Sequence, residues 1–317
     1  MRRLLALTLA TCAFAAHAID LQGHRGARGL RPENTLPAFE HALRLGVTTL
    51  EMDAAITSDG VVVISHDPAL NPDLVRGADG QWITTPVVIR SITYEQTQAY
   101  DVGRLRPGGS YGKSFPDQQP VDGTRIPKLA EVFELVKRLK ADHVQFDIET
   151  KIDLRNPQNT LEPEPFVQKL LEVIRAHGME DRVMVQSFDW RTLQVLHKLA
   201  PRMRTVYLTT QSPRGSNLDS PIYSAGFTLA QHGSVPAMVK AAGGTTWSPN
   251  YQALTPDLVK QGQALGLQVI PWTVNEEADM GRLLDWGVDG IISDRPDRVR
   301  NVLKARGLPL PPAVAAP

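Results

Sequence analysis

The chain has one cysteine in 317 residues, Cys12, and it lies in the apolar N-terminal stretch. Residues 1–18 combine Arg2 and Arg3 with an apolar run and a small-residue A-x-A ending, the pattern of a cleavable signal peptide. We therefore expect a mature chain without cysteine, which can form neither a disulfide nor a thiolate metal site. Lipidation at Cys12 is the alternative, and Thr11 is a poor residue just before a lipidated cysteine.

The chain also lacks an excess of charge of either sign. Lys and Arg number 34 and Asp and Glu number 34, so the formal net charge is zero with neutral histidines. Loss of Arg2 and Arg3 with the signal peptide leaves 32 basic against 34 acidic side chains, a net charge of −2. A protein of this kind has no broad basic field for nucleic acid or an anionic membrane, so any recognition of an anion must be local.

Long hydrophobic runs are missing beyond the N-terminus. The run from Leu4 to Ala16 is too short to span a bilayer, and the later apolar segments are a few residues long, as strands are. We therefore expect an exported protein, periplasmic or secreted after cleavage near Ala18, without stable insertion in the membrane. The sequence carries no signal for the oligomeric state.

Eight short apolar and β-branched runs do recur, each followed by a turn and then a helical pattern. These runs are DLQGH, TTLEMDAAI, HVQFDIE, RVMVQSF, RTVYLTT, TTWSP, QVIPWTV and GIISD. Between them lie segments with apolar residues at spacings of three and four, such as NTLPAFEHALRLG, LAEVFELVKRLK, EPFVQKLLEVIRAHG, DWRTLQVLHKLA, TPDLVKQGQALG and NEEADMGRLLDWG. This alternation predicts an α/β fold, a (β/α)8 TIM barrel over residues 19–307. A doubly wound open sheet is the alternative, but it lacks a Gly-rich dinucleotide-type turn after the first strand.

Two segments interrupt or end this alternation. Residues 67–127 are rich in Pro, Gly, Asp and Gln, and we interpret them as an insertion after the second strand that caps one end of the barrel. Long loops of this kind are usually functional or disordered, so the insertion is a candidate for shaping a substrate entrance. Residues 308–317, within GLPLPPAVAAP, have the composition of a disordered tail.

Three carboxylates fall near the ends of predicted strands, where a barrel of this type builds its active site. Glu51 and Asp53 are two residues apart on the second strand and therefore point to the same side. Glu149 ends the third strand in the same register and could supply a third oxygen, with Asp147 a weaker candidate. Side-by-side carboxylates repel unless a cation neutralises them, and oxygen donors suit Mg²⁺ or Ca²⁺ better than zinc. The alternative is that each carboxylate pairs with an Arg or Lys at the rim.

Two histidines are placed to work beside such a metal. His24 ends the first strand, and His66 follows a strand that turns back from Ile56 over the barrel mouth. Phosphodiester cleavage needs one group that takes a proton from the nucleophile and one that gives a proton to the leaving alkoxide. The pair predicts this acid/base role, with either histidine as the base. The other histidines of the mature chain are interpreted as surface or packing residues: His41, His143, His177, His197 and His232.

The loop GHRGARGLRPENT follows the first strand and is cationic. Arg25, with the backbone amides of Gly26 and Ala27, could bind phosphate oxygens, and Lys151 would face them from the third strand. Farther along the loop, we interpret the arginines at positions 28 and 31 as solvated and Asn34 as the cap of the first helix.

Two tryptophans lie near predicted strand ends. Trp272 in PWTVN and Trp247 in TWSP could wall the pocket around a polyol, and each is equally compatible with a place in the core.

An ordered set of these motifs resembles the glycerophosphodiester phosphodiesterases. GHRGARGLRPENTLPAFEHALRLGVTTLEMDAAITSDGVVVISHDP looks like the N-terminal signature of that family, and RIPKLAEVFELV, FDIETK, VMVQSF, IPWTVN and GVDGIISDRP are similar to later segments. The resemblance implies a metal-dependent (β/α)8 barrel with an inserted subdomain, which hydrolyses glycerophosphodiesters to glycerol 3-phosphate and an alcohol.

Carried over residue by residue, the resemblance implies a role for eight side chains. Metal binding falls to Glu51, Asp53 and Glu149, acid/base catalysis to His24 and His66, and substrate contacts to Arg25, Lys151 and Trp272. The implied cofactor is one divalent cation, Ca²⁺ or Mg²⁺, and the implied partner is a small-molecule glycerophosphodiester.

Two other functions are compatible with parts of the pattern. A phospholipase-like barrel acting on intact lipid would share the histidines and the metal, but it would need an apolar or aromatic rim, and the insertion is polar. An exported binding protein for phosphorylated polyols would keep the anion site, but binding alone does not require both an acid and a base.

Overall fold

The computed structural model describes residues 18–212 and 215–315, so the predicted signal peptide lies outside the described residues except for Ala18. The described strands are β1 Asp20–Gly23, β2 Thr49–Ile56, β3 Val62–Ile64, β4 Gln145–Thr150, β5 Val183–Ser187, β6 Arg204–Thr209, β7 Gln211–Ser212, β8 Gly215–Ser216, β9 Thr246–Pro249, β10 Gln268–Val269 and β11 Gly290–Ser293.

Eight of these strands form a parallel barrel. Their order is β10-β9-β6-β5-β4-β2-β1-β11, while β3 pairs antiparallel with β2 outside this path. Between β10 and β11 the barrel is closed by backbone hydrogen bonds, including Asp289 N to Val269 O at 3.0 Å and Ile292 N to Pro271 O at 3.0 Å. The barrel strands coincide with the eight predicted runs, and the TIM-barrel prediction is confirmed.

Helices surround the barrel and alternate with its strands. They are α1 Leu36–Leu45, α2 Tyr94–Thr97, α3 Ser110–Lys113, α4 Leu129–Arg138, α5 Pro163–Ala176, α6 Trp190–Leu199, α7 Leu229–His232, α8 Val235–Ala241, α9 Pro256–Ala264, α10 Glu277–Asp285 and α11 Pro296–Ala305. The longer helices bury the predicted apolar stripe, as in α4, where Leu129, Val132, Phe133, Leu135 and Val136 are buried. None of the helices in the described part of the chain is both long and apolar enough to cross a bilayer.

The start of α1 differs from the prediction by one residue. Thr35, not Asn34, is the cap, because its side chain accepts a hydrogen bond from the Ala38 backbone amide at 3.3 Å. The Asn34 side chain turns inward instead and donates to Asp53 Oδ2 at 2.8 Å. Asn and Thr are both good caps, so the local sequence does not distinguish them; the buried carboxylate does.

The insertion of residues 67–127 contains α2 and α3 and a small apolar core of its own. That core packs against the outer side of β2 and β3 through Ala55 and Val63, and it buries Leu70, Val75 and Ile89. The insertion is therefore attached along one side of the barrel, next to the carboxyl end of β2.

The tail prediction needs a correction, because the described residues 308–315 contact the barrel. Pro311 is buried, and its carbonyl oxygen accepts from Arg300 Nη1 at 2.7 Å. The Val314 amide donates to Leu43 O at 3.0 Å. The Pro-rich composition indicates correctly that the segment has no helix or strand of its own, but composition does not report docking on a neighbouring surface.

Deletion of residues 309–317 should therefore destabilise the protein. Loss of these backbone hydrogen bonds and the buried Pro311 should cost about 1–2 kcal/mol, a decrease of about 2–8 °C in melting temperature. Calorimetry would measure it, with a deletion of residues 316–317 as control, since this removes none of the described contacts. Equal melting temperatures for both deletions and the full chain would show that the tail contacts contribute nothing.

Candidate active site

A cavity of about 170 Å³ opens at the carboxyl ends of the barrel strands. Six of the eight predicted site residues line it: His24, Arg25, Glu51, His66, Glu149 and Trp272. The other two lie directly behind these side chains, since Lys151 Nζ is 2.9 Å from Glu149 Oε1 and 3.6 Å from Asp53 Oδ1. The fold thus brings all eight together, from positions up to 248 residues apart in the chain.

The three carboxylates converge because of strand register. Asp53 on β2 pairs with Glu149 on β4, and Glu51 lies two residues earlier on the same face. One oxygen from each lies within 4.8 Å of the others, and all three side chains are buried. Glu51 also accepts hydrogen bonds from the Arg25 backbone amide at 2.7 Å and from Gln186 Nε2 at 2.6 Å. The carboxylates are therefore held in place by their surroundings.

Burial and mutual repulsion work against ionisation of this cluster. Burial, and then the neighbouring Asp53, raises the pKa of Glu51 well above its usual range. Burial raises the pKa of Glu149 to about 7, against the opposing effect of Lys151. Burial also disfavours ionisation of Asp53, but nearby cations, Arg25 first, hold its pKa well below the usual range. A hard divalent cation would favour the ionised form of all three and would find the oxygen donors that it prefers.

The competing interpretation, that rim cations simply pair with these carboxylates, accounts for two of the three. Lys151 pairs with Glu149, and Arg25 Nε lies 3.3 Å from Asp53 Oδ2. Within the described residues, the only ion pair of Glu51 is with His24 Nε2 at 3.9 Å. One carboxylate thus remains without a permanently charged partner, which fits a cation site better than a set of structural ion pairs.

His24 is oriented by a carboxylate that lies 270 residues later in the chain. Its Nδ1 is 2.6 Å from Asp294 Oδ1, at the carboxyl end of β11. Burial opposes ionisation of Asp294, but Arg28 and His24 hold its pKa far below the usual range, so the carboxylate is charged and the imidazole Nδ1–H donates. Burial, and then Arg28, lowers the pKa of His24 to about 4. At neutral pH the ring is uncharged, and its Nε2 lone pair faces the cavity.

His66 has the same arrangement at the opposite rim. Its Nδ1 is 2.8 Å from Asp67 Oδ1, and Asn71 Nδ2 donates to Asp67 Oδ2 at 2.9 Å. Burial, and then Lys151, lowers the pKa of His66. Two neutral imidazoles, each with Nδ1 bound to a carboxylate, therefore present Nε2 to one cavity.

The loop after β1 is less open to an anion than its sequence indicates. The Gly26 amide donates to Gly23 O at 3.0 Å, and Arg25 Nη1 donates to Glu33 Oε1 at 2.7 Å. The interpretation of Arg28 as solvated is wrong. Its side chain is only 12% exposed, lines the cavity and binds Asp294 through Nε at 2.8 Å and Nη2 at 3.0 Å.

The wall opposite this loop is apolar. Phe188 and Trp272 pack edge to face, with ring centroids 5.3 Å apart, and both line the cavity. Trp247 is 2% exposed and belongs to the core, where its Nε1 donates to Thr209 Oγ1 at 2.9 Å. Asp147 is fully buried, one step deeper in the barrel than Glu149, and burial raises its pKa well above the usual range. It therefore lies in the barrel interior, outside both the cavity lining and the carboxylate cluster.

The residues that sequence reasoning missed are partners of those that it found. Gln186 is a polar residue within the otherwise apolar VMVQSF strand, and Asp294 follows β11 in GIISD. Both positions have a local signal, namely a polar side chain at an inward or carboxyl-terminal strand position. Arg28 has no such signal, because its loop contains three arginines at a regular spacing of three residues.

Comparisons with known proteins show what the chain is similar to in sequence and fold. Residues 24–298 match the family model of the glycerophosphoryl diester phosphodiesterase family. Glycerophosphodiester phosphodiesterases from Caldanaerobacter subterraneus and Bacillus subtilis are 30% and 29% identical over 285 and 284 residues, covering 90% and 89% of this chain and 97% and 85% of the relatives. A crystal structure from Silicibacter pomeroyi, of a protein assigned as a glycerophosphoryl diester phosphodiesterase, has a TM-score of 0.84 and 35% identity, covering 93% of this chain and 96% of its own.

Replacement of Asp294 by Ala should release the His24 ring from a single tautomer. ¹⁵N NMR should show Nδ1–H alone in the wild type and a mixture of tautomers in the variant, because the acceptor at Nδ1 is gone. The free energy of unfolding should fall by about 3 kcal/mol or more, since Arg28 loses a buried partner.

The matched control is Asp297→Ala, four residues from the same strand end, where the carboxylate pairs with Arg295 at the surface. That variant should retain the single tautomer and lose no more than about 1 kcal/mol. An unchanged His24 tautomer in Asp294→Ala would contradict the orienting role.

Proposed function

This chain belongs to the glycerophosphoryl diester phosphodiesterase family, and from that premise we propose how its barrel mouth performs hydrolysis. The chain is a glycerophosphodiester phosphodiesterase, an enzyme that cleaves a phosphoric diester with water. We propose that the reaction depends on one divalent cation, Ca²⁺ or Mg²⁺, and releases glycerol 3-phosphate and an alcohol. The observation that carries this proposal is the cluster of three buried carboxylates beside the cavity that two histidines line, each histidine paired with a carboxylate through Nδ1.

Glu51, Asp53 and Glu149 would hold the cation. A bound divalent ion polarises the phosphoryl oxygens and offsets the charge that develops in the transition state. The neighbouring side chains support these ligands, since Gln186 and Asn34 donate to Glu51 and Asp53 at 2.6 and 2.8 Å. Such outer contacts orient ligands before an ion arrives.

His24 and His66 would move the protons. One neutral imidazole takes a proton at Nε2 from the attacking water as the new P–O bond forms. The other must be an imidazolium when substrate is bound, a form that the anionic phosphate favours, and it gives its Nε2 proton to the alkoxide as the P–O bond to the alcohol breaks. Asp294 and Asp67 support both roles, because each keeps the ring orientation and stabilises the imidazolium that forms during transfer.

Arg25, Lys151 and Trp272 would contact the substrate. Arg25 and Lys151 are buried cations beside the carboxylate cluster, and their positive charges would favour an anionic phosphate there. Trp272 forms an apolar wall with Phe188, against which the carbon skeleton of a glycerol group can pack.

Export to the periplasm or the medium is a separate part of the proposal. It rests on the sequence of residues 1–18 alone, with two arginines, an apolar run and an A-x-A ending.

Activity should require a divalent cation and a soluble diester. Glycerophosphocholine, glycerophosphoethanolamine and glycerophosphoglycerol should each release glycerol 3-phosphate in a coupled assay, and EDTA should stop the release. Added Ca²⁺ or Mg²⁺ should restore it, because a divalent cation offsets the burial and mutual repulsion that disfavour the fully ionised cluster. Turnover that ignores the chelator would remove the cation from the mechanism.

The same assay separates the alternative functions. Preference for lysophospholipid vesicles over soluble diesters would indicate a lipid-directed enzyme, an activity named for a human relative that is 27% identical and is called lysophospholipase D. Saturable binding without release of glycerol 3-phosphate would indicate a binding protein instead.

Replacement of either cavity histidine should abolish most of the activity. His24→Ala and His66→Ala should each lower kcat by about two to four orders of magnitude, the usual contribution of proton transfer, with little change in melting temperature. His143→Ala is the matched control, since His143 is exposed and distant from the cavity lining. Wild-type turnover in both cavity variants would refute the acid/base assignment.

A further inference from the structure

Arg28 lines the cavity and has N–H groups that its described hydrogen bonds do not use. Of its five N–H groups, the described contacts use one at Nε and one at Nη2 for Asp294, and one at Nη1 for the Tyr111 hydroxyl at 3.1 Å. Two N–H groups remain, and the side chain lines the cavity beside His24. A buried guanidinium with unused donors facing a cavity is suited to an anionic ligand.

The insertion holds this guanidinium in place. Tyr111 lies on α3, and its hydroxyl accepts from Arg28 Nη1 and donates to Glu33 in a very short hydrogen bond. Phe115 stacks on the guanidinium, whose central carbon is 4.6 Å from the ring centroid. Gln118 Nε2 then donates to the Arg28 backbone carbonyl at 2.7 Å. Three side chains of one insertion segment thus contact a single residue of the barrel loop.

Arg25 is the neighbour of Arg28 at this cavity, since both approach the Tyr111 hydroxyl. Its Nη1 donates to Glu33 at 2.7 Å and also lies 3.5 Å from the Tyr111 hydroxyl, and its Nε faces Asp53 at 3.3 Å. Arg25 is thus paired with Glu33 and Asp53, whereas Arg28 is paired with Asp294 beside His24.

We propose that Arg28 is a third cationic contact for the substrate phosphate, beside Arg25 and Lys151, and that Tyr111 and Phe115 of the insertion are positioning residues for it. The proposal rests on the function proposed above and names a residue outside the eight assigned there. The insertion then takes part in phosphate binding through Arg28, without touching the reacting atoms.

Binding of sn-glycerol 3-phosphate to the full chain in Mg²⁺ buffer tests the contact with Arg28. Calorimetric titration should show Arg28→Gln binding about tenfold or more weakly, the usual effect of losing a charge-assisted pair. Arg28→Lys should fall between that variant and the wild type, because an ammonium cannot reach Asp294, Tyr111 and a phosphate together. Glycerol, which lacks the phosphate, should not distinguish the proteins.

Arg31→Gln is the matched control from the same loop, since Arg31 donates only to the neighbouring Leu30 carbonyl among its described contacts. It should bind glycerol 3-phosphate as the wild type does. Binding by Arg28→Gln and Arg28→Lys within twofold of wild type would overturn the proposal. The titration needs no turnover, so it decides the role of Arg28 even if the wild type fails to hydrolyse glycerophosphodiesters, a result that would refute the proposed function separately.

Tyr111→Phe tests the positioning role. Loss of the hydroxyl should raise KM for glycerophosphocholine about fivefold while kcat stays within about twofold, because the variant affects phosphate binding and not proton transfer. Tyr94, elsewhere in the insertion, is the control, and its hydroxyl donates to Glu131 at 3.3 Å. Tyr94→Phe should leave both constants unchanged. An equal fall in kcat, or no change in KM, would contradict a positioning role for Tyr111.

Discussion

Repulsion among buried carboxylates at the barrel mouth is the constraint around which the rest of the site is arranged. The buried charged groups there comprise five carboxylates and three cationic side chains, which leaves −2 when all are ionised: Glu33, Glu51, Asp53, Glu149 and Asp294 against Arg25, Arg28 and Lys151. Burial makes that imbalance costly, and part of it appears as the raised pKa of Glu51 and Glu149. A single divalent cation cancels the deficit, and a monovalent one does not. Charge number and oxygen chemistry thus point independently to the same class of ion.

The same balance explains how the two histidines can remain neutral in an acidic site. Carboxylates near an imidazole usually favour its charged form, yet the pKa of His24 falls to about 4 because burial and Arg28 outweigh Asp294. Asp294 therefore orients the His24 ring without stabilising its protonated form, since Arg28 offsets the negative charge of Asp294. Without Arg28, Asp294 would raise the pKa of His24. The protonated ring would then have no free lone pair at Nε2. Arg28 thus links the histidine to the insertion through Tyr111 and Phe115.

The parts of the molecule that sequence predicts well are those with a local period. Alternation of strand and helix gives the barrel, and a spacing of two residues places Glu51 and Asp53 on one face. Pairings across long distances in the chain have no such period. The contact between His24 and Asp294 joins residues 270 positions apart, and only closure of β11 against β1 brings them together. Asn34 illustrates the same limit at short range, because its side chain is oriented by the buried carboxylate of Asp53 on β2.

The loop after β1 is held in place by its packing against α1 and by its own backbone hydrogen bonds. Gly26 has φ of 86°, and a Cβ there would lie 2.8 Å from the backbone of Ala38, so the glycine permits close packing of the loop on α1. Its amide is already bonded to Gly23 O and is not free for a phosphate. The positive φ and missing side chain of Gly26 therefore serve the packing of the loop, and they do not open its amide to a ligand. Under the proposed function, a phosphate would be recognised by side chains of this loop, with Arg25 beside Asp53 and Arg28 beside Asp294 and His24.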